Sequence, residues 1–311
     1  LPQAYDIPLL WDQAEAEALL QGTPLLQTVR AQRLTAEREF AVLSAAVAEV
    51  EAADGGSSPL PEGLLDGDRY MWAMATVLSR SFSVNVEQSL VPILVPAADV
   101  FNTGLEGSEL SLNDAGSAVQ VVARKTYTGG EQVLLQLGPQ GNSELMARQG
   151  FAFPDNPYNT VRMFVSTSEA DPFTETRLGI MRFLGIDPSK GHVVPRDGRL
   201  GKSLLQALRV STLSPASFDQ YSRLADGNPV SLVNERDTLR QVLAACKVFL
   251  DAQPTTLEED DKLLLRPEGL PRRQAWAVLY RRGEKATYRE IMQAALDSWQ
   301  KFLLERVPGL D

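Results

Sequence analysis

The residues that could do chemistry in this chain are few. There is one histidine, His192, and one cysteine, Cys246, in 311 residues. A Cys/His zinc cluster or a multi-histidine metal site cannot be built from them within one chain, so no metal ligand set is assigned. An intramolecular disulfide is impossible. His192 sits in a turn-like Ser189-Lys190-Gly191-His192-Val193-Val194-Pro195 stretch with no Ser or Cys nucleophile motif, and reads as a surface or structural side chain. Cys246 falls on the apolar face of a helix and behaves as a small hydrophobe. Gly198-Arg199-Leu200-Gly201-Lys202-Ser203 has the look of a phosphate loop. The position five residues before Gly201 is Arg196 rather than glycine, however, so the segment reads as a loop leading into a helix over 202–210. The acidic run Glu258-Glu259-Asp260-Asp261 reads as a solvated helix start favoured by the helix dipole, not as a cation site.

The elements that must position any remaining chemistry divide by texture. Residues 1–88 read as helical. Asp12 caps a helix through Leu20, Gly22-Thr23-Pro24 breaks it, and an amphipathic stretch runs from Leu25 to Val50. A further helix begins near Asp68 and carries Tyr70, Met71, Met74, Val77 and Leu78, a core stripe. Residues 89–155 hold short β-rich runs at 91–95, 119–123 and 132–137, separated by Gly, Asn and Asp. Asn142 is expected to cap a short helix through Arg148 that Gly150 ends. Residues 156–311 open with a strand at 160–167 and are then helical. Asp171-Pro172 is expected to start one helix and Asn234 to cap another, and the last carries Tyr288, Ile291, Met292, Ala295, Trp299 and Phe302 at helical spacing. The fold class is α+β: a small irregular β-rich core with a helical insertion, followed by an all-α lobe.

Composition narrows the function classes. The net charge of −10 excludes a broadly basic nucleic-acid binder. No run of about 18 apolar residues reads as a membrane span. The first residue is Leu1, so an N-terminal part of the protein is expected to lie outside these residues.

One constellation goes further. Ser79-Arg80-Ser81-Phe82 is followed by Pro96-Ala97-Ala98-Asp99-Val100-Phe101-Asn102-Thr103-Gly104, then Gly130-Glu131-Gln132-Val133, Gly138-Pro139-Gln140-Gly141-Asn142-Ser143-Glu144-Leu145 and Gly150-Phe151. In order and spacing this resembles the second half of the SET domain in the Rubisco large-subunit methyltransferase family of protein-lysine methyltransferases. The family pattern reads S-R-x-F, P-x-A-D-x-x-N-H-S, G-E-Q-V, Y-x-x-x-S-N-x-E-L and Y-G-F. The likeness continues through Ser166 to Phe173, Leu208-Arg209-Val210, Ala244-Ala245-Cys246, Thr255 to Asp260 and Arg282-Gly283-Glu284-Lys285, which look like that family's helical substrate-binding domain. Leu1-Pro2 and Trp11 through Gly22 resemble the helical insertion that splits its SET domain. The resemblance implies three parts: the insertion at 1–88, the C-terminal half of SET at 89–155, and the substrate-binding lobe at 156–311.

It also implies a cofactor, S-adenosylmethionine, contacted by Arg80, Asp99 and Asn102. Several expected residues are replaced. Thr103 stands where the family has histidine, Leu137 and Gln149 where it has tyrosines, and Val161 where a further tyrosine belongs. Methyl transfer from a sulfonium to a neutral amine needs an in-line channel whose phenols orient the amine and stabilise developing cationic charge. Leucine supplies neither hydroxyl nor quadrupole, and glutamine cannot copy a phenol's position. The Gly-rich first SET strand that cradles the cofactor is also not among these residues. Two readings follow. One is a catalytically degenerate scaffold that binds protein partners within a larger complex, with no cofactor. The other is an active lysine methyltransferase with a divergent pocket, in which Gln149 or Tyr158 replaces a tyrosine. Relatives of this layout place the protein in the plastid, or else in the cytoplasm or nucleus.

Overall fold

The computed structural model describes residues 2–86, 89–165, 167, 170–266 and 268–305. Two compact units divide the chain: Leu1–Asn156 with Pro267–Tyr280, and Pro157–Arg266 with Arg281–Asp311.

The first unit begins with a short 3-10 turn, Pro8–Leu10, and helix α1 (Gln13–Leu20). The Asp12 carboxylate accepts hydrogen bonds from the main-chain N–H of Ala14 and Glu15, satisfying two donors a helix start leaves open. Helix α2 (Pro24–Ala53) starts with proline at its first position, where no N–H is needed. Helix α3 (Gly67–Arg80) is capped by Asp66, two residues before the Asp68 that marks it in the sequence. Its last turn passes into β1 (Ser81–Val86), which pairs antiparallel with β2 (Ser89–Leu94) in the register Ser81↔Leu94 to Val86↔Ser89. The ten-residue β3 (Thr103–Leu112) pairs with β4 (Val119–Val122). The run at 132–137 forms no strand of its own. Only Leu135 bridges Thr103 and Ser108, with Leu135 N donating to Asn102 O and Ser108 N donating to Leu134 O, both at 2.8 Å. Gly107 permits this close threading, since a Cβ there would lie 2.8 Å from Gln136 N and Leu134 O.

Helix α4 (Asn142–Gln149) corrects one expectation. Its N-cap is Gly141, with no side-chain capping bond. Asn142 is buried and instead spans the following turn: its Nδ2 donates to Phe153 O and its Oδ1 accepts from Phe153 N. Gly150 ends the helix in the left-handed region at φ 78°. A Cβ there would fall 2.0 Å from the carbonyl oxygen of Asp6, so only glycine lets the N-terminal strand of chain pass. The core of this unit gathers Trp11, Leu20, Leu25, Val29, Met146, Ala277 and Tyr280.

The second unit opens with β5 (Thr160–Met163), which pairs antiparallel with β6 (His192–Pro195). The expected strand is shorter than 160–167, and its partner lies where a turn was expected: alternating burial puts Val194 in the core and leaves Val193 outside. Ser166, Ser168 and Glu169 lie outside the described residues. Asp171-Pro172 does not start the next helix. Asp171 Oδ1 accepts from Phe173 N in a turn, and α5 (Thr174–Phe183) begins after it. Helix α6 (Lys202–Thr212) follows the Gly198–Gly201 loop. After α7 (Tyr221–Ala225), helix α8 (Leu232–Asp251) is capped by Ser231 rather than Asn234. Asn234 is buried, donating to Arg209 O and Thr212 Oγ1. Helix α9 (Leu257–Leu264) carries a reciprocal capping box between Thr256 and Glu259. Helix α10 (Arg272–Glu305) ends the described chain. Asp260 departs from the solvated reading: it is fully buried, 2.6 Å from Lys285 Nζ and 2.9 Å from Arg281 Nε. The core joins Val194, Leu204, Val210, Leu224, Cys246 and Ile291.

Candidate active site

Six of the positions singled out in the sequence line one cavity of about 360 Å³ in the first unit: Arg80, Asp99, Asn102, Thr103, Leu137 and Gln149. They arrive on different elements. Arg80 is the last residue of α3, Thr103 the first of β3 and Gln149 the last of α4. Asp99 lies in a 3-10 turn, Ala98–Val100, whose preceding residue Ala97 has φ 74°.

The Arg80 guanidinium donates from Nη1 to the main-chain carbonyl of Asp99 and lies 5.9 Å from the Tyr5 ring centroid. The Asp99 carboxylate and the Asn102 side chain make no hydrogen bond or ion pair among the described residues, and Asn102 is exposed. The Gln149 Oε1 atom is buried with no hydrogen-bond partner, an orphan acceptor in the cavity wall. Leu137 contributes hydrocarbon there, while its main-chain O accepts from Gln140 Nε2 at 3.1 Å.

Three further lining residues carry no local sequence signal: Tyr5, Arg272 and Trp276. The N-terminal segment is tied to α10 by Arg273, which donates to Asp6 at 2.5 Å and Glu15 at 2.6 Å. With that ion pair, Trp72 Nε1 donating to Pro2 O at 3.0 Å and the contact between the Phe151 and Trp276 rings hold these residues at the site. The Tyr5 hydroxyl accepts from Thr76 Oγ1 at 3.0 Å. Val161 and Tyr158 are not part of this wall. Val161 is buried in the core of the second unit.

S-adenosylmethionine would bring a sulfonium, an ammonium and a carboxylate to such a wall. Asp99, Asn102 and the orphan Gln149 oxygen offer polar atoms to the ammonium and the sulfonium side. The transfer end does not fit: neither Leu137 nor Gln149 supplies a phenol at its position.

The single histidine and cysteine lie in the second unit. His192 Nδ1 is 3.4 Å from Ser203 Oγ, and burial lowers its pKa. Burial pushes the Cys246 thiol up to about 11, which suits an inert core side chain. Among the described residues no three His, Cys, Asp or Glu side chains gather to hold a metal, and no helix is long and apolar enough to cross a membrane.

Comparison with known proteins gives the following. Residues 168–287 match the family model described as Rubisco LSMT substrate-binding. The actin-histidine N-methyltransferase of Mus musculus is 25% identical over 327 aligned positions, covering 99% of this chain and 54% of that protein. The chloroplastic [fructose-bisphosphate aldolase]-lysine N-methyltransferase of Arabidopsis thaliana is 30% identical over 315 positions, covering 96% of this chain and 63% of that protein. A solved SET domain of LSMT bound to lysine and AdoHcy superposes with a TM-score of 0.75 at 26% identity, covering 98% of this chain and 70% of that one. The chain thus spans about half the length of the mouse relative.

Proposed function

Since the chain belongs to the Rubisco LSMT family of SET-domain proteins, we propose that it works as a protein-binding or assembly subunit whose methyl-transfer chemistry is degenerate. The carrying observation is the wall itself. Leu137 and Gln149 stand in the same cavity as Asn102, Asp99 and Arg80, so the framing of the site persists while both phenols are gone. Loss of one positioned polar contact costs a factor of about 10²–10³ in rate, and two or more compound it. On this reading the residues divide as insertion at 1–88, C-terminal half of SET at 89–155 and partner-binding lobe at 156–311. The family-model match over 168–287 supports the last of these. The chloroplastic relative supports a plastid location.

The test is a methyl-transfer assay with labelled S-adenosylmethionine on full-length protein and candidate acceptors. The expected outcome is no transfer above that of an Asn102→Ala variant. Turnover that this variant abolishes refutes the proposal.

A second reading is favoured by the orphan Gln149 oxygen, an acceptor placed to receive an N–H, and by relatives that are named methyltransferases. On it the chain is a protein N-methyltransferase with a divergent pocket, in which Gln149 orients the acceptor and Asn102, Asp99 and Arg80 hold S-adenosylmethionine. Calorimetry with the cofactor separates the two: no measurable binding to full-length protein ends the second.

A further inference from the structure

Beyond the proposed function, we infer that the outward face of α2 docks a second copy of this chain, the two helices packing antiparallel about a two-fold axis midway between Arg38 and Glu49. The inward face of α2 is spent on its own unit, where Leu25, Val29, Ala36 and Val47 are buried. The opposite side is bare. Ala31, Leu34, Arg38, Val42, Ala45 and Glu49 are all exposed, Val42 by 71% and Leu34 by 47%. They follow one another at steps of three or four residues, which lines them up as a single stripe with the spacing of a helix–helix seam. Exposed apolar residues taken singly need no partner. What distinguishes this stripe is where its charges stand.

Arg38 and Glu49 are the charged residues of the stripe, and neither makes a hydrogen bond or ion pair among the described residues. They stand about three helical turns apart and within about 20° of each other around the helix. A two-fold contact pairs residue i with j and j with i. An antiparallel copy centred between the two charges therefore sets Arg38 against the copy's Glu49, and Glu49 against the copy's Arg38. Between them Val42 faces the copy's Ala45 and Ala45 the copy's Val42, side chains small enough for the helix axes to approach closely. A parallel pairing would set Arg38 against Arg38 and Glu49 against Glu49, so like charges reject it. A foreign segment would have to bring both signs at this spacing, whereas the chain itself already carries them. Ion pairs this exposed fix partner and orientation more than affinity. A seam of about 27 Å between two helices lies at the small end of interfaces, so the dimer is weak, with a Kd on the order of 10–100 µM.

Sedimentation equilibrium of the full-length protein, from about 5 to about 500 µM, reads the association. The wild type is expected to show a reversible monomer–dimer equilibrium. Arg38→Glu and Glu49→Arg each set like charges together at both ends of the seam. Each should weaken the dimer about tenfold, the scale of two exposed ion pairs reversed. Both residues are exposed and unpaired within the chain, so an unchanged thermal melt shows that each variant is folded. Arg38→Glu with Glu49→Arg in one chain recreates both pairs and should return the wild-type affinity. The two single variants, mixed, should pair with each other more tightly than either pairs with itself. A protein that stays monomeric up to about 500 µM overturns the inference and leaves the face to another segment or a different partner. A dimer indifferent to both single variants overturns it too. A double variant as weak as the singles does the same, because that is the pattern of a parallel pairing.

Discussion

Glu284 offers a test of the helical lobe that can be worked through from its surroundings. It sits on α10, 7% exposed, with no hydrogen bond or ion pair among the described residues. Burial raises its pKa from 4.5 to about 8. The native state therefore keeps a proton that the unfolded chain releases. Below pH 4.5 both states are protonated and the group costs nothing. As pH rises from there the unfolded state ionises first, so stability falls until the native carboxyl also ionises near pH 8. The linked loss between about pH 5 and pH 8 is roughly 3–4 kcal/mol, a ceiling because buried sites relax and admit water. Glu284→Gln keeps the shape and removes the titration. Urea unfolding of both proteins at the two pH values gives the difference directly, with other titrating groups common to both. The variant should be close to wild type at pH 5 and more stable by up to that amount at pH 8. A gap between the two proteins that does not change with pH refutes the reasoning.

Other expectations follow from the same geometry. Asp260→Asn leaves Lys285, 1% exposed, without its counter-charge, and should cost about 3–5 kcal/mol by calorimetry. Adding Lys285→Met should recover part of that loss, and additive losses would contradict the pairing. Gly150→Ala forces a Cβ toward the Asp6 carbonyl at a left-handed φ, and should destabilise the first unit by at least about 2 kcal/mol in chemical unfolding. A near-neutral result would mean that the 2–7 segment does not cross Gly150 as described.

What was legible in the sequence is what local chemistry decides. Asp12, Pro24 and Gly150 each act on main-chain groups within a few residues, and each ends or begins the helix expected of it. What was not legible depends on distant partners. Ser81–Val86 lies inside the stretch read as helical, although Phe82, Val84 and Val86 alternate with polar residues, and it forms a strand by pairing with Ser89–Leu94. Asn142 and Asn234 have the residue type of caps, yet both are drawn inside by carbonyls elsewhere, leaving Gly141 and Ser231 at the cap positions. Asp260 looks solvated within its acidic run until Arg281 and Lys285 are brought over it. At the site, the six motif positions could be read because the family pattern carries them. Tyr5 and Trp276 could not, because long-range contacts bring them there, among them the ion pair between Asp6 and Arg273.

The degenerate-scaffold account stands or falls most directly on one measurement: incorporation of label from S-adenosylmethionine into protein by the full-length chain, compared with Asn102→Ala and with Leu137→Tyr/Gln149→Tyr. The account predicts no Asn102-dependent incorporation by the wild type. Incorporation by the wild type that Asn102→Ala abolishes would contradict it, and would make Gln149 the residue to explain.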